Sequence, residues 1–598
     1  MGIKSFFKSL LEKSDTKIDL PEHVSGFMID LNDILHLYAA KTYRFKEYAI
    51  DLRDRNGRYQ KAKFDSTSDE DLEEEFIQGI LDRLDIYLSI NPTDYFIVVV
   101  DGPAPLSKIA QQRDRRLTFP GVVSPRFDSS MLLSPGTPIM SKIHERLNKW
   151  FYDRASEDKL PPFSCYSSYH EPGEGEHKMI QIFLDNLEKI PFKHKDGYHM
   201  LASQDSDILM LGMTIPLKNV VFWREDRETE AKTNNITPEL YSIDKFRSRI
   251  VSKNYLRDNI NEDFILMYFL FGNDFFPKSP GMSKADEYIE KSSQAYIKNG
   301  RRLVNTRNNN IIRSELINFF KHLTPYENYG LQTKARTYNH IRQRPFPILT
   351  DSIIKNKDGS KTLNIDAFKH RWYRRAMEDY NKLNGMTYTD LECFKKDMME
   401  NYITTLQWNL DYYMRRDIAW NHQYKFPFAP FISDLAMLPS EGQVYRVVDD
   451  WKSKSSILRQ LIMITHPNKL KLILPGAAAA LAEDPDYAKY NRAPLISYED
   501  GIYRTPKDDY QIKTLLPMVY HPEFQDLIDR HEIVNTEERL HVNFHHPDVF
   551  FREVEYNETR EPAGSGGVAE ANPDEYIPGS HTKVLTVEKY IWTEDMVE

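Results

Sequence analysis

Over residues 1–285, short apolar runs that stop at Asp, Gly or Pro alternate with longer stretches of helical periodicity. Phe27-Met28-Ile29 is a run of strand type ending at Asp30. From Ser68 to Leu88 the residues Phe76, Ile77, Ile80, Leu81, Leu84, Tyr87 and Leu88 fall at helical spacing, which predicts an amphipathic helix. Thr67 and Glu70 stand at capping-box spacing before it. The acidic run Asp69 to Glu75 is then its first turns, favoured by the helix dipole. After the breaker Asn91-Pro92, Tyr95 to Val100 reads as a buried strand that stops at Asp101-Gly102-Pro103. The pattern recurs around Ile208-Leu211 and Val220-Trp223. Strand, helix and strand in this order predict an α/β fold with a parallel sheet.

The pattern then changes. Residues 286–385 are polar and read as a connector or insert. Residues 386–480 return to helical periodicity, and residues 402–431 are dense in rings: Tyr402, Trp408, Tyr412, Tyr413, Trp420, Tyr424, Phe426, Phe428 and Phe431. Most of these belong in a core; one or two have the chemistry to stack on bases. Residues 481–598 read as a C-terminal region with an acidic tail, its flexibility signalled by Ala563-Gly564-Ser565-Gly566-Gly567.

Composition narrows the function. The longest apolar run, Phe264 to Phe271, is far too short to span a bilayer, and the N-terminus mixes charge into its apolar residues, so neither a membrane span nor a signal peptide is expected. No phosphate-cradling G-x-x-x-x-G-K-[ST] occurs, so ATP is not an expected ligand. The two cysteines, Cys165 and Cys393, make no disulfide framework, which predicts a reducing, cytoplasmic location. The 598 residues carry a net charge of −10, so any nucleic acid must be met by a local basic patch.

Carboxylates recur just past the apolar runs. Asp30 and Asp101 follow the first two, Asp205 and Asp207 flank Ser206 before Ile208, and Asp274 follows Phe264 to Phe271. Glu174 and Glu176 lie in P-G-E-G-E-H, a turn entering a helix. Singly, each Asp is an ordinary turn or N-cap residue. At one sheet edge, all seven would repel one another without a cation. Oxygen ligands suit Mg2+, with Mn2+ as the alternative, and a pair of ions suits phosphodiester hydrolysis.

Residues 105–126 hold five basic residues and one acidic residue. Lys108, Gln112, Arg115 and Arg116 share one face if the segment is helical, and arginine forks suit a terminal phosphate. His541, His545 and His546 form a weaker cluster without a partner at metal-site spacing.

These motifs carry a resemblance. M-G-I-x-x-F-F at the start, I-D-L-N-D-I-L-H (29–36), V-D-G-P-A-P-L-S-K-I-A-Q-Q-R-D-R-R (100–116), F-D-S-S-M-L-L-S-P-G-T-P-I-M (127–140), P-G-E-G-E-H-K (172–178), Q-D-S-D-I-L-M-L-G (204–212) and G-N-D-F-F-P (272–277) resemble, in order, the Xrn-type 5′→3′ exoribonucleases. L-Q-W-N-L-D-Y-Y (406–413) and F-A-P-F-I-S-D-L (428–435) resemble that family's second block. The resemblance implies a PIN- and flap-nuclease-like α/β core completed by a helical, aromatic-rich block. It implies processive hydrolysis of single-stranded RNA bearing a 5′-monophosphate, with two Mg2+ held by Asp30, Asp101, Glu174, Glu176, Asp205, Asp207 and Asp274. It places Lys108, Gln112, Arg115 and Arg116 in a 5′-phosphate pocket, and His36 and Trp420 around a base. The chain departs from the family at Asp33, at His422 in place of a tryptophan, and at Lys4-Ser5. The alternatives are a non-catalytic RNA-binding scaffold and a structure-specific DNA flap nuclease.

Overall fold

The computed structural model describes residues 15–53, 55–118, 124, 126–194, 196–254, 260–275, 277–282, 285–337, 347–384, 387–414, 418–447, 456–473 and 478–491, and then the segments 495–498, 512–515, 522–534, 549–555, 575–577 and 583–588. Lys4-Ser5 and the histidines at 541, 545 and 546 lie outside the described residues.

A single large sheet organises the chain. Its strands are β1 (Lys17–Ile18), β2 (Val24–Asp30), β3 (Tyr95–Val99), β4 (Phe163–Ser167), β5 (Tyr198–Ala202), β6 (Val220–Glu225), β7 (Pro238–Ser242), β8 (Val549–Glu555), β9 (Glu575–Ile577) and β10 (Lys583–Glu588). The order is β1-β7-β6-β5-β2-β3-β4-β8-β10-β9. The centre, β6-β5-β2-β3-β4, is parallel. The chain proceeds from β2 to β3 and β4, then returns to the other side of β2 with β5. That reversal makes a crevice at the carboxyl ends of the strands, where open α/β sheets bind their ligands.

Both faces are covered, so β2, β3 and β4 are buried along their whole length and successive residues enter opposite cores. Met28, Ile97, Val99, Leu201 and Phe222 join one apolar cluster. Phe27, Ile29, Phe96, Val98 and Val221 join the other. The second face is packed by α1 (Asn32–Thr42), α3 (Asp69–Leu88) and α5 (Pro138–Ser156); α2 (Arg55–Ser66) lies between the first two in sequence. The cap of α3 is Ser68, whose hydroxyl accepts from Asp71 N at 3.0 Å, one residue later than the capping-box spacing suggested.

Two apolar runs are helices: α7 (Ile208–Met213), in a stretch expected to repeat the strand pattern, and α8 (Asn261–Phe269). All residues of Ile208–Met213 and of Phe264–Phe271 are buried, so no periodicity distinguishes helix from strand. The expected connector over 286–385 is instead core. Its helices α9 (Arg313–Thr337) and α10 (Ile365–Asn384) bury Leu316, Phe319, Phe320, Trp372 and Tyr373 in the first cluster. They pack with α11 (Leu391–Tyr413) in one helical body. Buried Glu327 of α9 fastens it, accepting from Ser279 Oγ at 2.6 Å and from the amides of Ile432 and Ser433 at 2.6 and 2.9 Å.

The region beyond 480 is also tied to the core. Tyr487, Tyr490, Phe524, Leu527 and Ile528 are buried in the second cluster beside α12 (Ile457–Ile464). The span expected as a solvated acidic tail contributes strands: β8 pairs antiparallel with β4, Phe550 opposite Cys165, and β10 continues the ladder. Net charge hid the strand-forming residues Val549-Phe550-Phe551 and Val584-Leu585-Thr586-Val587.

Candidate functional site: an acidic crevice beside a basic helix

The crevice is built by loops that leave four parallel strands. Asp30 is the last residue of β2. Asn32, opening α1, donates from its backbone N and its Nδ2 to Asp30 Oδ1 at 3.1 and 2.8 Å, while its Oδ1 accepts from Asp101 N at 3.2 Å. One asparagine thus fixes the first two carboxylates relative to each other. Asp101 Oδ1 accepts from Gly175 N at 2.6 Å, which brings in the turn after β4. A Cβ at Gly175 would lie 2.6 Å from Asp30 Oδ1, so only glycine allows this approach.

Glu174 is the N-cap residue of α6 (Gly175–Asp185), and Glu176 lies in its first turn. Both carboxylates therefore meet the positive end of a helix dipole. Asp205 and Asp207 follow β5 rather than a strand at 208. Asp207 N donates to Asp205 Oδ1 at 3.0 Å, and Asp207 precedes α7. Asp274 lies past α8 and reaches the same crevice: Lys108 Nζ sits 2.5 Å from Glu174 Oε2 and 2.9 Å from Asp274 Oδ2.

Burial and the crowding of like charge together raise several of these carboxyls. Burial, then Asp33 and Asp101, raise Asp30 well above the carboxylate range. Burial and Glu174 do the same to Glu176. Burial, Asp205 and Asp274 push Asp207 up to about 8. Burial opposes the charge on Lys108, yet Glu174, Asp274 and Glu176 outweigh it and hold the ammonium above its usual value. All seven expected carboxylates thus share one field. Among the described residues no three His, Cys, Asp or Glu side chains stand close enough together to hold a metal ion; Lys108 supplies the positive charge between Glu174 and Asp274. The donor chemistry nevertheless fits a hard divalent cation: these are all carboxylates, mostly buried, and several resist ionisation without added positive charge.

Two tyrosines that the sequence assigned only to the aromatic core belong here. At the end of α11, Tyr412 donates to Glu174 Oε1 at 3.0 Å and Tyr413 to Asp207 Oδ2 at 2.9 Å. Tyr412 also stacks on His177 at 3.8 Å. Their signal was position, since two adjacent polar rings ended a helix. Asn32 has a signal too, its place two residues after Asp30. Asp33, the departure from the family pattern, accepts from Ser203 Oγ at 3.3 Å and from Gln204 N. It holds the turn that precedes Asp205.

The basic segment is helix α4 (Leu106–Thr118). Its four expected residues divide. Lys108 points into the acidic cluster. Gln112 is buried and meets Gln460 of α12 at 3.5 Å. Arg115 is exposed, and Arg116 is half-buried with Nε and Nη1 buried and unpartnered. Burial and then Arg115 lower Arg116 to about 9, with Asp128 and Asp101 opposing them. His36 of α1 is close by. Its Nδ1 is buried and unpartnered, and burial, Lys46, Arg115 and Arg116 lower its imidazole to about 3, so the ring is neutral at pH 7.

The aromatic block is fastened to the start of α4. Trp420 O accepts from Leu106 N at 2.8 Å, and His422 O accepts from Ser107 Oγ at 2.7 Å. Gln460 Oε1 accepts from Ala104 N at 2.8 Å. Trp420 is half-buried against the first apolar cluster. His422 is a packing residue, buried against Trp408 and bonded to Thr405 Oγ1 at 3.0 Å, and burial keeps it neutral by lowering it to about 4.

This architecture matches two family models. Residues 1–120 and 122–226 match the XRN 5'-3' exonuclease N-terminus, and residues 351–494 match the Xrn1 helical domain. The chain belongs to the XRN 5'-3' exonuclease family. Similar curated proteins agree with it. The 5'-3' exoribonuclease 1 of Homo sapiens is 24% identical over 73% of this chain and 29% of its own length. That of Schizosaccharomyces pombe is 22% identical over 93% of this chain and 50% of its own length. That of Saccharomyces cerevisiae is 26% identical over 47% of this chain and 20% of its own length. The chain spans half or less of these relatives. All seven carboxylates lie inside the N-terminal family match or, for Asp274, between the two matches. Trp420, Tyr412 and Tyr413 lie inside the helical-domain match.

Proposed function

We propose that this chain is a Mg2+-dependent, processive 5′→3′ exoribonuclease acting on single-stranded RNA with a 5′-monophosphate. The observation that carries the reading is the seven-carboxylate crevice at the flank of α4, with unpartnered guanidinium nitrogens of Arg116 alongside. Asp30, Asp101, Glu174, Glu176, Asp205, Asp207 and Asp274 would hold the metal. Two bound Mg2+ ions would activate water and stabilise the leaving oxygen.

The remaining roles belong to the chain itself. Asn32 and Gly175 set the spacing of Asp30 and Asp101. Tyr412 and Tyr413 orient Glu174 and Asp207. Lys108 balances Glu174 and Asp274 and stands between the acidic crevice and the rest of α4. Arg116, with Arg115 and Gln112, recognises the 5′-phosphate, since a guanidinium fork matches phosphate oxygens in two bonds. His36 and Trp420 present flat rings from two different blocks, and stacking on them tolerates any base. RNA held in this way advances after each cleavage without release.

We also propose a reducing, cytoplasmic setting, supported by Cys165 and Cys393 both being free thiols. The test of the activity compares RNAs that differ only at the 5′ end. Rapid release of mononucleotides from 5′-monophosphate RNA, dependent on Mg2+, supports the reading. Equal rates on 5′-hydroxyl RNA, or cleavage inside a circular RNA, sink it.

A further inference from the structure

A second cationic feature lies outside the crevice. Residues 41–63 hold eight Lys or Arg and three Asp or Glu, in a chain of net charge −10. Its first part is a strained turn. Arg44 and Lys46 both take left-handed backbone conformations, with φ of 59° and 51°, while Phe45 between them is buried. Buried Phe45 fixes the turn and leaves both cations exposed.

Helix α2 follows, burying only Gly57 and Phe64. At 100° per residue, Arg55 and Tyr59 lie on the outward line, flanked by Arg58 and Lys63. The single carboxylate of the helix, Asp65, lies to one side and pairs with Lys61. Elsewhere on the surface several helical cations are matched to acids one turn away, as Lys149 to Asp153 and Arg374 to Glu378 are. That interleaving is the ordinary solvated face. The outward face of α2 has none of it. Among the described residues Arg44, Lys46, Arg55, Arg58 and Lys63 have no ion-pair partner, and Tyr59 is 70% exposed.

An exposed ring among unpaired cations suits a single nucleic-acid strand, whose phosphates are drawn to the charges and whose bases stack on the ring. The patch is also continuous with the site. The turn closes directly on α1, the helix that carries His36: Tyr43 N donates to Ala39 O at 2.9 Å and Phe45 N to Ala40 O at 3.1 Å, so Arg44 and Lys46 stand at the far end of the helix whose start lines the crevice.

We propose that Arg55, Arg58, Tyr59 and Lys63 of α2, with Arg44 and Lys46, bind the RNA strand downstream of the nucleotides held in the crevice. This rests on the reading that the substrate is single-stranded RNA. An acidic protein segment is the other chemistry the charges would accept; the ring and the continuity with His36 favour RNA.

The test uses the full chain and two 5′-monophosphate RNAs, one too short to leave the crevice and one long enough to reach α2. The variants are Arg55→Gln/Arg58→Gln/Lys63→Gln and, separately, Tyr59→Ala. For the long RNA the triple variant should bind at least about tenfold more weakly, and its salt slope should fall by about 2, near 0.7 for each phosphate that is no longer neutralised. Tyr59→Ala should weaken long-RNA binding about fivefold or more with the salt slope unchanged. Turnover of the short RNA should match wild type in both. Long-RNA affinity and salt slope equal to wild type in both variants overturn the proposal, and lost capture of an acidic peptide alone would then point to a protein partner. Wild-type chain that binds long RNA through this patch but degrades none would sink the exoribonuclease reading and leave this one standing. Wild-type chain that binds no RNA overturns both.

Discussion

Tyr413 donates its phenol proton to Oδ2 of Asp207 at 2.9 Å, so the last turn of the helical block holds a carboxylate of the sheet crevice. Tyr412, its neighbour, does the same for Glu174. The site is therefore shared between the two family domains, and neither domain holds all of its parts. Tyr413→Phe removes one hydrogen bond and leaves the ring packed against Phe269. Activity should fall roughly tenfold, with thermal stability lowered by about 1 kcal/mol. Unchanged turnover in the Phe variant would show that the tyrosine only fills space.

Gly175→Ala tests the close approach at the centre of the crevice. The added methyl would meet Asp30 Oδ1 at 2.6 Å. The turn must shift, at a cost of about 1–3 kcal/mol, and Asp30 and Asp101 lose their common anchor. Turnover should drop at least about a hundredfold while circular dichroism remains that of the folded chain. Full activity would mean that the crevice tolerates a looser turn than the distances imply.

The crowded carboxylates make metal-free stability depend on pH. Asp207 is raised to about 8, and Asp30 and Glu176 are raised by burial and by neighbouring acids. A carboxyl with a raised folded pKa stabilises the fold below its unfolded value and loses that contribution as pH rises through its folded value. The metal-free chain should therefore melt at lower temperature as pH rises from the ordinary carboxylate range towards about 8. Added Mg2+ should restore the melting point most at the upper end. A flat profile, or no effect of Mg2+, contradicts the assignment of these groups as ligands.

Arg116→Ala should lower the preference for 5′-monophosphate over 5′-hydroxyl RNA by at least about tenfold, because each charge-assisted hydrogen bond is worth about 1.5–3 kcal/mol. The fold should not suffer, since Nε and Nη1 of Arg116 have no partner to lose. An unchanged ratio of rates on the two RNAs would place the phosphate elsewhere. Lys108→Ala should instead disturb the acidic crevice itself, reducing rates on both RNAs together.

Much of this was legible in the chain. β2, β3 and the carboxylates Asp30 and Asp101 could be read because the apolar runs stop sharply at Asp. The basic helix could be read because its cations recur at helical spacing. Ile208–Leu211 reads as a strand because full burial erases periodicity, and Phe264–Phe271 carries no helical signal for the same reason. Asp205, Asp207 and Asp274 still reached the correct end of the sheet, since α7 and α8 begin or end there. Residues 286–385 looked like a connector because their charged faces dilute a helical core signal carried by Phe319, Phe320 and Trp372. The polar bonds of Asn32, Tyr412 and Tyr413 bridge distant segments, and no local pattern encodes which carboxylate each one meets.

One comparison tests the central claim most directly. Wild-type chain and Asp205→Asn are each given the same single-stranded RNA with a 5′-monophosphate, with and without Mg2+, and mononucleotide release is followed in time. Wild type with Mg2+ should release mononucleotides from the 5′ end, while wild type without Mg2+ and Asp205→Asn with Mg2+ should be slower by roughly a thousandfold. Mononucleotide release by folded Asp205→Asn at the wild-type rate would contradict the account.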